Sequence, residues 1–252
     1  MDVEAFIPSP VLLCIINKFG RATHKNSDSR FPFEMAADIK KEPQREDMNN
    51  ARRILALGDS LTEGYYRFGT QFHPYTDRLH KLLEPKGIFE IHNAGVSGET
   101  TDRMLERLRG LLKPKSSPWY DLVVILGGTN DLGFRSAEDI FKNIQLMSDL
   151  VQTQKSGDRH SRVVIMTVPH CRKSPQWILD KRSSVNSQIK TYASQKEIPI
   201  VDLEYWGKLN PMGKSEEEID EIWDTDGLHF TPAGSDVIAD ALFRTLSTEN
   251  VV

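Results

Sequence analysis

Apolar runs of five or six residues recur along this chain from residue 54 onward, and longer mixed segments separate them. The runs at 54–58, 89–93, 122–126, 163–168 and 198–203 have the length of β-strands. Those at 122–126 and 163–168 are almost continuously apolar, which is typical of parallel strands covered on both faces. We therefore predict five strands buried in the interior of one domain.

Helical periodicity occupies the segments between these runs. Apolar residues spaced three and four apart predict helices over 100–112, 136–152 and 185–195. A last helix is predicted with Thr231 at its N-cap and Pro232 as its first residue. Strands that alternate with helices, joined by right-handed crossovers, predict an α/β fold.

We expect a three-layer α/β/α sandwich around a five-stranded parallel sheet with the flavodoxin-like strand order 2-1-3-4-5. In such a sheet, ligands bind outside the carboxyl ends of the strands, where the strand order reverses. Here that point lies between the first and third strands, which are followed by GDSLTEG at 58–64 and GGTND at 127–131. Fold logic alone therefore places the functional site at these two loops.

The first 52 residues differ from the rest of the chain. Residues 21–52 are polar and lack periodicity, so we expect a partly disordered N-terminal extension over 1–52 and a single domain over 53–248. The apolar run VLLCII at 11–16 is short and follows prolines and acidic residues, which makes it a poor signal peptide. We expect a cytoplasmic protein, with secretion as the alternative.

Composition and charge narrow the choice of partner. The net charge is −4, with 32 basic and 36 acidic residues mixed along the chain, which argues against nucleic acid as the partner. No apolar run approaches the ~20 residues of a membrane span. The two cysteines and seven histidines show no metal-ligand spacing, so no metal site is expected. A small molecule is the expected partner, and no pattern bears on the oligomeric state.

Ser60 has two interpretations that do not exclude each other. With Glu63 three residues later, it has the pattern of a capping box at the start of a helix. It also follows a predicted buried strand. A serine at a helix N-terminus can act as a nucleophile there, and its own N–H can help to bind an oxyanion.

Two further loops offer candidate oxyanion donors. Gly98, within NAGVSGET at 93–100, is either a turn glycine or one that lets its backbone N–H approach a ligand. Asn130, within GGTND, either makes local hydrogen bonds in a turn or points its amide at a developing negative charge.

The segment WDTDGLHFTPAG at 223–234 contains a candidate base. Asp226 stands three residues before His229, ahead of the predicted last helix. A carboxylate so placed can fix the tautomer of the imidazole, while the other ring nitrogen accepts a serine proton. A lone histidine is more often structural, but this pair taken together with the other three segments favours nucleophilic catalysis.

In their order along the chain, these four segments resemble the signature blocks of the SGNH hydrolase superfamily, also called GDSL esterases and lipases. The resemblance implies a serine esterase or acylhydrolase that cleaves carboxylic esters through an acyl-enzyme intermediate, without a cofactor. It assigns Ser60 as the nucleophile and Asp226 and His229 as the other triad members. The implied oxyanion hole consists of the N–H groups of Ser60 and Gly98 and the side chain of Asn130.

An alternative of another class is a non-catalytic, flavodoxin-like protein that binds phosphate or flavin at the first loop. This alternative gives Asp226 and His229 no role, and the acidic residues of the loop oppose an anion. For a hydrolase, the substrate stays open among short-chain esters, lysophospholipids, thioesters and acetylated sugars. Aromatic residues near the predicted mouth, in GYYRF at 64–68 for example, either line a pocket or pack the fold.

Overall fold

The structure, a computed structural model, describes residues 51–113, 119–204 and 206–251. The extension expected over 1–52 therefore lies outside the described residues, apart from Ala51 and Arg52.

A parallel sheet of five strands forms the centre of the described part. The strands are β1 Arg52–Gly58, β2 Phe89–Gly95, β3 Leu122–Leu126, β4 Arg162–Met166 and β5 Ile200–Val201. They lie side by side in the order β2-β1-β3-β4-β5, and every neighbouring pair is parallel. The predicted order 2-1-3-4-5 is confirmed.

Helices cover both faces of this sheet. They are α1 Ser60–Glu63, α2 Tyr75–Leu83, α3 Thr101–Leu111, α4 Ala137–Gln152, α5 Gln176–Lys196, α6 Glu216–Ile222 and α7 Pro232–Thr248. Helices α2, α6 and α7 bury their apolar residues against one face, and α3, α4 and α5 against the other. In β1, Ile54 and Ala56 belong to the first core, whereas Leu55 and Leu57 belong to the second. The predicted three-layer α/β/α sandwich is thus confirmed.

The boundaries of some elements differ from the prediction. Helix α5 begins at Gln176, directly after Pro175, although its clear apolar stripe starts only at 185. Helix α2 is missing from the prediction, because its buried apolar residues form a narrow stripe between charged ones. Strand β5 is shorter than the run at 198–203, since β4 pairs with it over only two residues.

One glycine allows the first helix to lie on the edge strand. A Cβ built on Gly95, at the end of β2, would lie 2.0 Å from the backbone nitrogen of Glu63 and 2.5 Å from its Cα. Because both atoms belong to the backbone of α1, an alanine at this position must push the helix away from the strand.

We expect Gly95→Ala to lower the free energy of unfolding by about 1–3 kcal/mol or more, the usual cost of overpacking. Urea denaturation measures the change. Gly110→Ala is the matched control, because a Cβ at this exposed position in α3 meets no atom within 4 Å. Alanine there should stabilise the helix by about 0.5–1 kcal/mol. Equal stabilities of the two variants would contradict the close packing of α1 on β2.

Candidate active site

The carboxyl ends of the first three strands carry the loops that the sequence singled out. Ser60 follows β1 as the first residue of α1, Gly98 lies between β2 and α3, and Asn130 lies in a 3-10 turn after β3. The fourth segment precedes α7, and a β-bridge between Trp223 and Phe230 closes it into a loop.

The start of α1 does not use the expected capping box. Asp59 is the N-cap residue, and its Oδ1 accepts a hydrogen bond from the N–H of Leu61 at 3.0 Å. Glu63 turns away from Ser60 and accepts a hydrogen bond from the N–H of Ser97 at 2.8 Å. The capping-box interpretation of Ser60 is therefore wrong, because the preceding aspartate takes the capping role. The hydroxyl of Ser60 is left to a partner from another part of the chain.

That partner is the imidazole of His229. Its Nε2 lies 2.8 Å from the Oγ of Ser60, and its Nδ1 lies 2.7 Å from Oδ2 of Asp226. The other oxygen of Asp226 accepts the backbone N–H groups of Leu228 and His229, both at 2.9 Å. Ser60 and His229 are only 4% and 5% exposed. The structure thus brings together three side chains that the sequence separates by up to 169 positions.

The charge of Asp226 suits a residue that orients an imidazole. Burial opposes its ionisation, but the hydrogen bonds from the side chain and backbone of His229 and the attraction of its imidazole outweigh this effect. They hold the pKa of Asp226 below its ordinary value. The ionised carboxylate accepts a hydrogen bond from the Nδ1–H group of His229, which leaves Nε2 free to take a proton from a hydroxyl.

Tyr65 packs directly on the imidazole. The ring centroids of Tyr65 and His229 are 4.3 Å apart, with the planes tilted by 40°. Phe72 meets Tyr65 edge-on across a short hairpin at 6.1 Å. A Cβ at Gly69 would lie 2.7 Å from the Tyr65 ring, so glycine lets the hairpin turn fold against it. Sequence reasoning left the role of this aromatic residue open, since no local spacing links it to His229.

Two of the expected oxyanion donors are backbone groups. Within the described ranges, the N–H groups of Ser60 and Gly98 donate to no protein acceptor. Gly98 has φ +76, and a Cβ there would meet nothing within 4 Å. Glycine is therefore favoured at this position for its backbone conformation and not for lack of space.

The amide of Asn130 joins the first two loops. Its Nδ2 donates to the backbone carbonyl of Glu99 at 3.0 Å and lies 3.4 Å from Oδ2 of Asp59. Asn130 does lie in a turn, but neither contact is a local one, so its side chain does not make the local hydrogen bonds that the turn interpretation expected. Its neighbour Asp131 also bonds at long range, to the N–H and hydroxyl of Thr101 at the start of α3.

The other reactive groups near this rim are poor candidates for nucleophile or base. Burial raises the pKa of the Cys171 thiol to about 11, so at neutral pH it holds its proton. Burial, together with the neighbouring Arg182, lowers the pKa of His170 to about 4. The loop that carries Cys171 is attached to the histidine loop by a hydrogen bond of 2.8 Å from the N–H of Arg172 to the carbonyl of Gly227.

Asp59 is a fully buried carboxyl with an unusual protonation equilibrium. Burial raises its pKa from 3.8 to about 7, although the hydrogen bond from Leu61 and the attraction of His229 act in the opposite direction. The folded protein therefore keeps this proton over a pH range in which the unfolded chain has lost it. Stability from this group is complete below about pH 4 and is lost as the pH rises to about 7.

We expect wild type to lose stability relative to Asp59→Asn between pH 4 and 7, at about 1.4 kcal/mol per pH unit. Unfolding in urea at successive pH values gives the difference curve. Asp158→Asn, in an exposed hairpin turn, is the control for removal of a surface carboxylate. A flat difference curve for Asp59→Asn between pH 4 and 7 would show that this carboxyl is ionised in the folded protein throughout that range.

The described residues provide neither a metal-ligand cluster nor a membrane-spanning helix. Among residues 51–113, 119–204 and 206–251, no group of three or more His, Cys, Asp or Glu side chains is arranged to hold a metal ion. In the same ranges, no helix combines the length and apolar character needed to cross a bilayer.

Comparison with known proteins places this architecture. The model of the GDSL-like lipase/acylhydrolase family matches residues 56–237. The comparison with curated protein sequences gives no match.

Solved structures share the fold. A lipase/acylhydrolase from Enterococcus faecalis is 23% identical, with a TM-score of 0.62 over 78% of this chain and 96% of that one. The aryl esterase of M. smegmatis is 24% identical, with a TM-score of 0.59 over 79% of this chain and 99% of that one. The acetylxylan esterase Axe2 of Geobacillus stearothermophilus is 19% identical, with a TM-score of 0.61 over 77% of this chain and 94% of that one.

The family match covers most of the chain, including the loops that carry Ser60, Gly98, Asn130, Asp226 and His229. It decides between a hydrolase and a non-catalytic binding protein in favour of the hydrolase. The chain belongs to the GDSL-like lipase/acylhydrolase family of the SGNH hydrolase superfamily and is a hydrolase of ester bonds.

Proposed function

We propose that this hydrolase is a serine esterase that cleaves carboxylic esters through an acyl-enzyme on Ser60. The observation that carries the proposal is the continuous chain of hydrogen bonds from the Ser60 hydroxyl through His229 to Asp226, at 2.8 and 2.7 Å. A nucleophile within hydrogen-bond reach of a base, which a third group orients, is the arrangement that this chemistry requires.

The proposed reaction has two halves. In the first, Oγ of Ser60 attacks the ester carbonyl carbon as Nε2 of His229 takes the hydroxyl proton, and collapse of the tetrahedral intermediate passes that proton to the leaving alcohol. In the second, water gives a proton to the same nitrogen and attacks the acyl group, which leaves as the carboxylic acid when Ser60 regains its proton. Asp226 stays ionised throughout and holds the imidazole in place.

Three donors are proposed to stabilise the negative oxygen of each tetrahedral intermediate. The N–H groups of Ser60 and Gly98 can bind the oxyanion without breaking a hydrogen bond to another group of the described residues. Asn130 keeps its 3.0 Å bond to the carbonyl of Glu99 and exchanges its long 3.4 Å contact with Asp59 for the oxyanion. Hydrogen-bond donors fixed before the reaction are effective because they need no reorganisation when charge develops.

We expect Asn130→Ala to lower kcat about 10²–10³-fold, the usual loss for one oxyanion donor. Initial rates with p-nitrophenyl acetate measure it. Asn210→Ala is the control, because the one side-chain hydrogen bond of Asn210 within the described residues is local, from the N–H of Met212. An unchanged kcat in Asn130→Ala would remove its amide from the oxyanion hole.

A fluorophosphonate probe tests the nucleophile. We expect stoichiometric labelling of the folded protein, loss of ester hydrolysis in proportion, and a modified peptide whose fragments carry the label on Ser60. Denatured protein should not react. A labelled residue other than Ser60, or no labelling of an active preparation, would overturn the proposal.

The substrate class is a small carboxylic ester. Aryl acetates and acetylated xylan belong in the test panel, because proteins of the same fold are described as an aryl esterase and an acetylxylan esterase. The panel consists of p-nitrophenyl esters from acetyl to decanoyl, acetylated xylan oligosaccharides and a lysophospholipid. Their kcat/KM values show which acyl length and which leaving group the enzyme prefers. Activity on none of these, in a preparation whose Ser60 reacts with the probe, would exclude the carboxylic ester class proposed here.

A further inference from the structure

We propose that Arg107 is a positioning residue for the oxyanion donors, a role that rests on the serine esterase mechanism proposed above. Arg107 lies in α3, behind the loops of the site, and its guanidinium holds β1, β2 and the loop that follows β2 at the same time. No motif of the sequence drew attention to it.

The guanidinium first joins two neighbouring strands at their carboxyl ends. Its Nη1 donates to the carbonyl of Ala94 in β2 at 2.8 Å, and its Nη2 donates to the carbonyl of Gly58 in β1 at 3.2 Å. Gly58 stands two residues before Ser60, whose N–H is one of the proposed donors. Arg107 therefore fixes the point from which the nucleophile loop departs.

The same guanidinium also holds the residue after Gly98. Nε of Arg107 donates to both carboxylate oxygens of Glu99, at 2.9 and 3.1 Å, and Nη2 adds a close contact with Oε2. Glu99 is 8% exposed. Its backbone carbonyl is the acceptor for Nδ2 of Asn130 at 3.0 Å. Glu99 thus connects Arg107 to the other two donors, the N–H of Gly98 and the amide of Asn130.

This arrangement needs an arginine in particular. The three nitrogens of the guanidinium lie in one plane and donate to carbonyl and carboxylate oxygens in different directions. A lysine has a single nitrogen on a flexible stem and cannot reproduce this geometry. Charge-assisted hydrogen bonds of this kind are short and strong, and a bidentate pair fixes orientation as well as distance. A misplacement of catalytic groups by about 1 Å can cost on the order of 10²-fold in rate.

The chain offers a matched comparison. Arg53 in β1 pairs with Glu90 in β2 at 2.6 Å, so it joins the same two strands by the same kind of ion pair. This pair lies at the amino ends of the two strands, away from the site, and contacts none of the four site loops. It provides the structural contribution of such a pair without the proposed positioning role.

The test compares Arg107→Lys and Glu99→Gln with Arg53→Lys. For the first two we expect kcat for p-nitrophenyl acetate to fall about 10–10²-fold, with KM changed by less than about threefold. Affinity for an alkylboronic acid, which forms a tetrahedral adduct on the nucleophile, should fall by the same factor as kcat. Arg53→Lys should change none of these values.

A second measurement separates positioning from general destabilisation. If Arg107 acts through Asn130 and Gly98, the effect of Arg107→Lys should shrink at least about threefold in an Asn130→Ala background, because one of the groups it positions is already absent. Full additivity, or a kcat within about twofold of the Arg53→Lys value for both variants, would overturn the inference. Should Arg107→Lys fail to fold, Glu99→Gln alone decides by the same criteria.

The outcome is distinguishable from failure of the serine mechanism itself. A wild-type protein that the fluorophosphonate labels on Ser60 retains the proposed function whatever the Arg107 variants do. A wild-type protein that hydrolyses esters without labelling on Ser60 loses both.

Discussion

Ser60→Ala is expected to lower kcat about 10⁶-fold, close to the uncatalysed background, because Ser60 supplies the hydroxyl that lies 2.8 Å from Nε2 of His229. The alanine keeps the N–H of residue 60 and removes only the hydroxyl. Substrate should therefore still bind, while the acyl-enzyme cannot form. Single-turnover assays with p-nitrophenyl acetate measure the loss, and mass spectrometry of the quenched enzyme checks for the acetylated protein.

Ser161→Ala is the matched control for this substitution. Ser161 is as buried as Ser60, at 5% exposed, and its Oγ donates to the carbonyl of Tyr120 at 2.6 Å, before the start of β4. We expect full activity from this variant and a loss of stability on the order of 1 kcal/mol, the usual net value of one hydrogen bond. If Ser60→Ala hydrolysed esters as fast as Ser161→Ala, the serine mechanism would be wrong.

The sheet could be predicted from local sequence because a strand buried on both faces is a continuous run of apolar residues. The apolar runs that became β1 to β4 could be recognised without any tertiary information, and the flavodoxin-like strand order expected for such a sheet is the one observed. The sequence pattern of helix α2 is weaker. Its contacts with α7 join residues far apart in the sequence, such as Arg78 with Asp240, and its own pattern is narrow.

The candidate site was predictable for a different reason. The distance of 2.8 Å between Ser60 and His229 spans 169 positions, so no spacing rule implies it. Four short motifs in family order supplied the assignment, and the sheet geometry explained why their loops share one rim. What the motifs do not contain was missed. Glu63 binds Ser97 and Arg107 binds Gly58, contacts that depend on which segments happen to pack together.

His229→Ala is expected to lower kcat by about as much as Ser60→Ala, because a serine hydroxyl without a base is a weak nucleophile at neutral pH. The fluorophosphonate should fail to label this variant, although Ser60 is present. Asp226→Asn should be less damaging, at about 10⁴-fold, because the imidazole remains but loses the partner that fixes its tautomer.

A second histidine–aspartate pair provides the control. Nε2 of His73 lies 2.9 Å from Oδ1 of Asp236, and no serine hydroxyl of the described part of the chain bonds to its other ring nitrogen. His73→Ala should keep its rate and its probe labelling, since this pair only connects the segment before α2 with α7. Loss of activity in both histidine variants would indicate general disruption of the fold.

The double variant Ser60→Ala/His229→Ala tests whether the two side chains act as one catalytic unit. If the two side chains act only as a unit, removing the second after the first should cost less than about tenfold, although each alone costs about 10⁶-fold. The residual rate of the double variant then measures what the backbone N–H groups of residues 60 and 98 and the amide of Asn130 contribute by themselves. A further large loss in the double variant would mean that His229 assists a route that does not pass through Ser60.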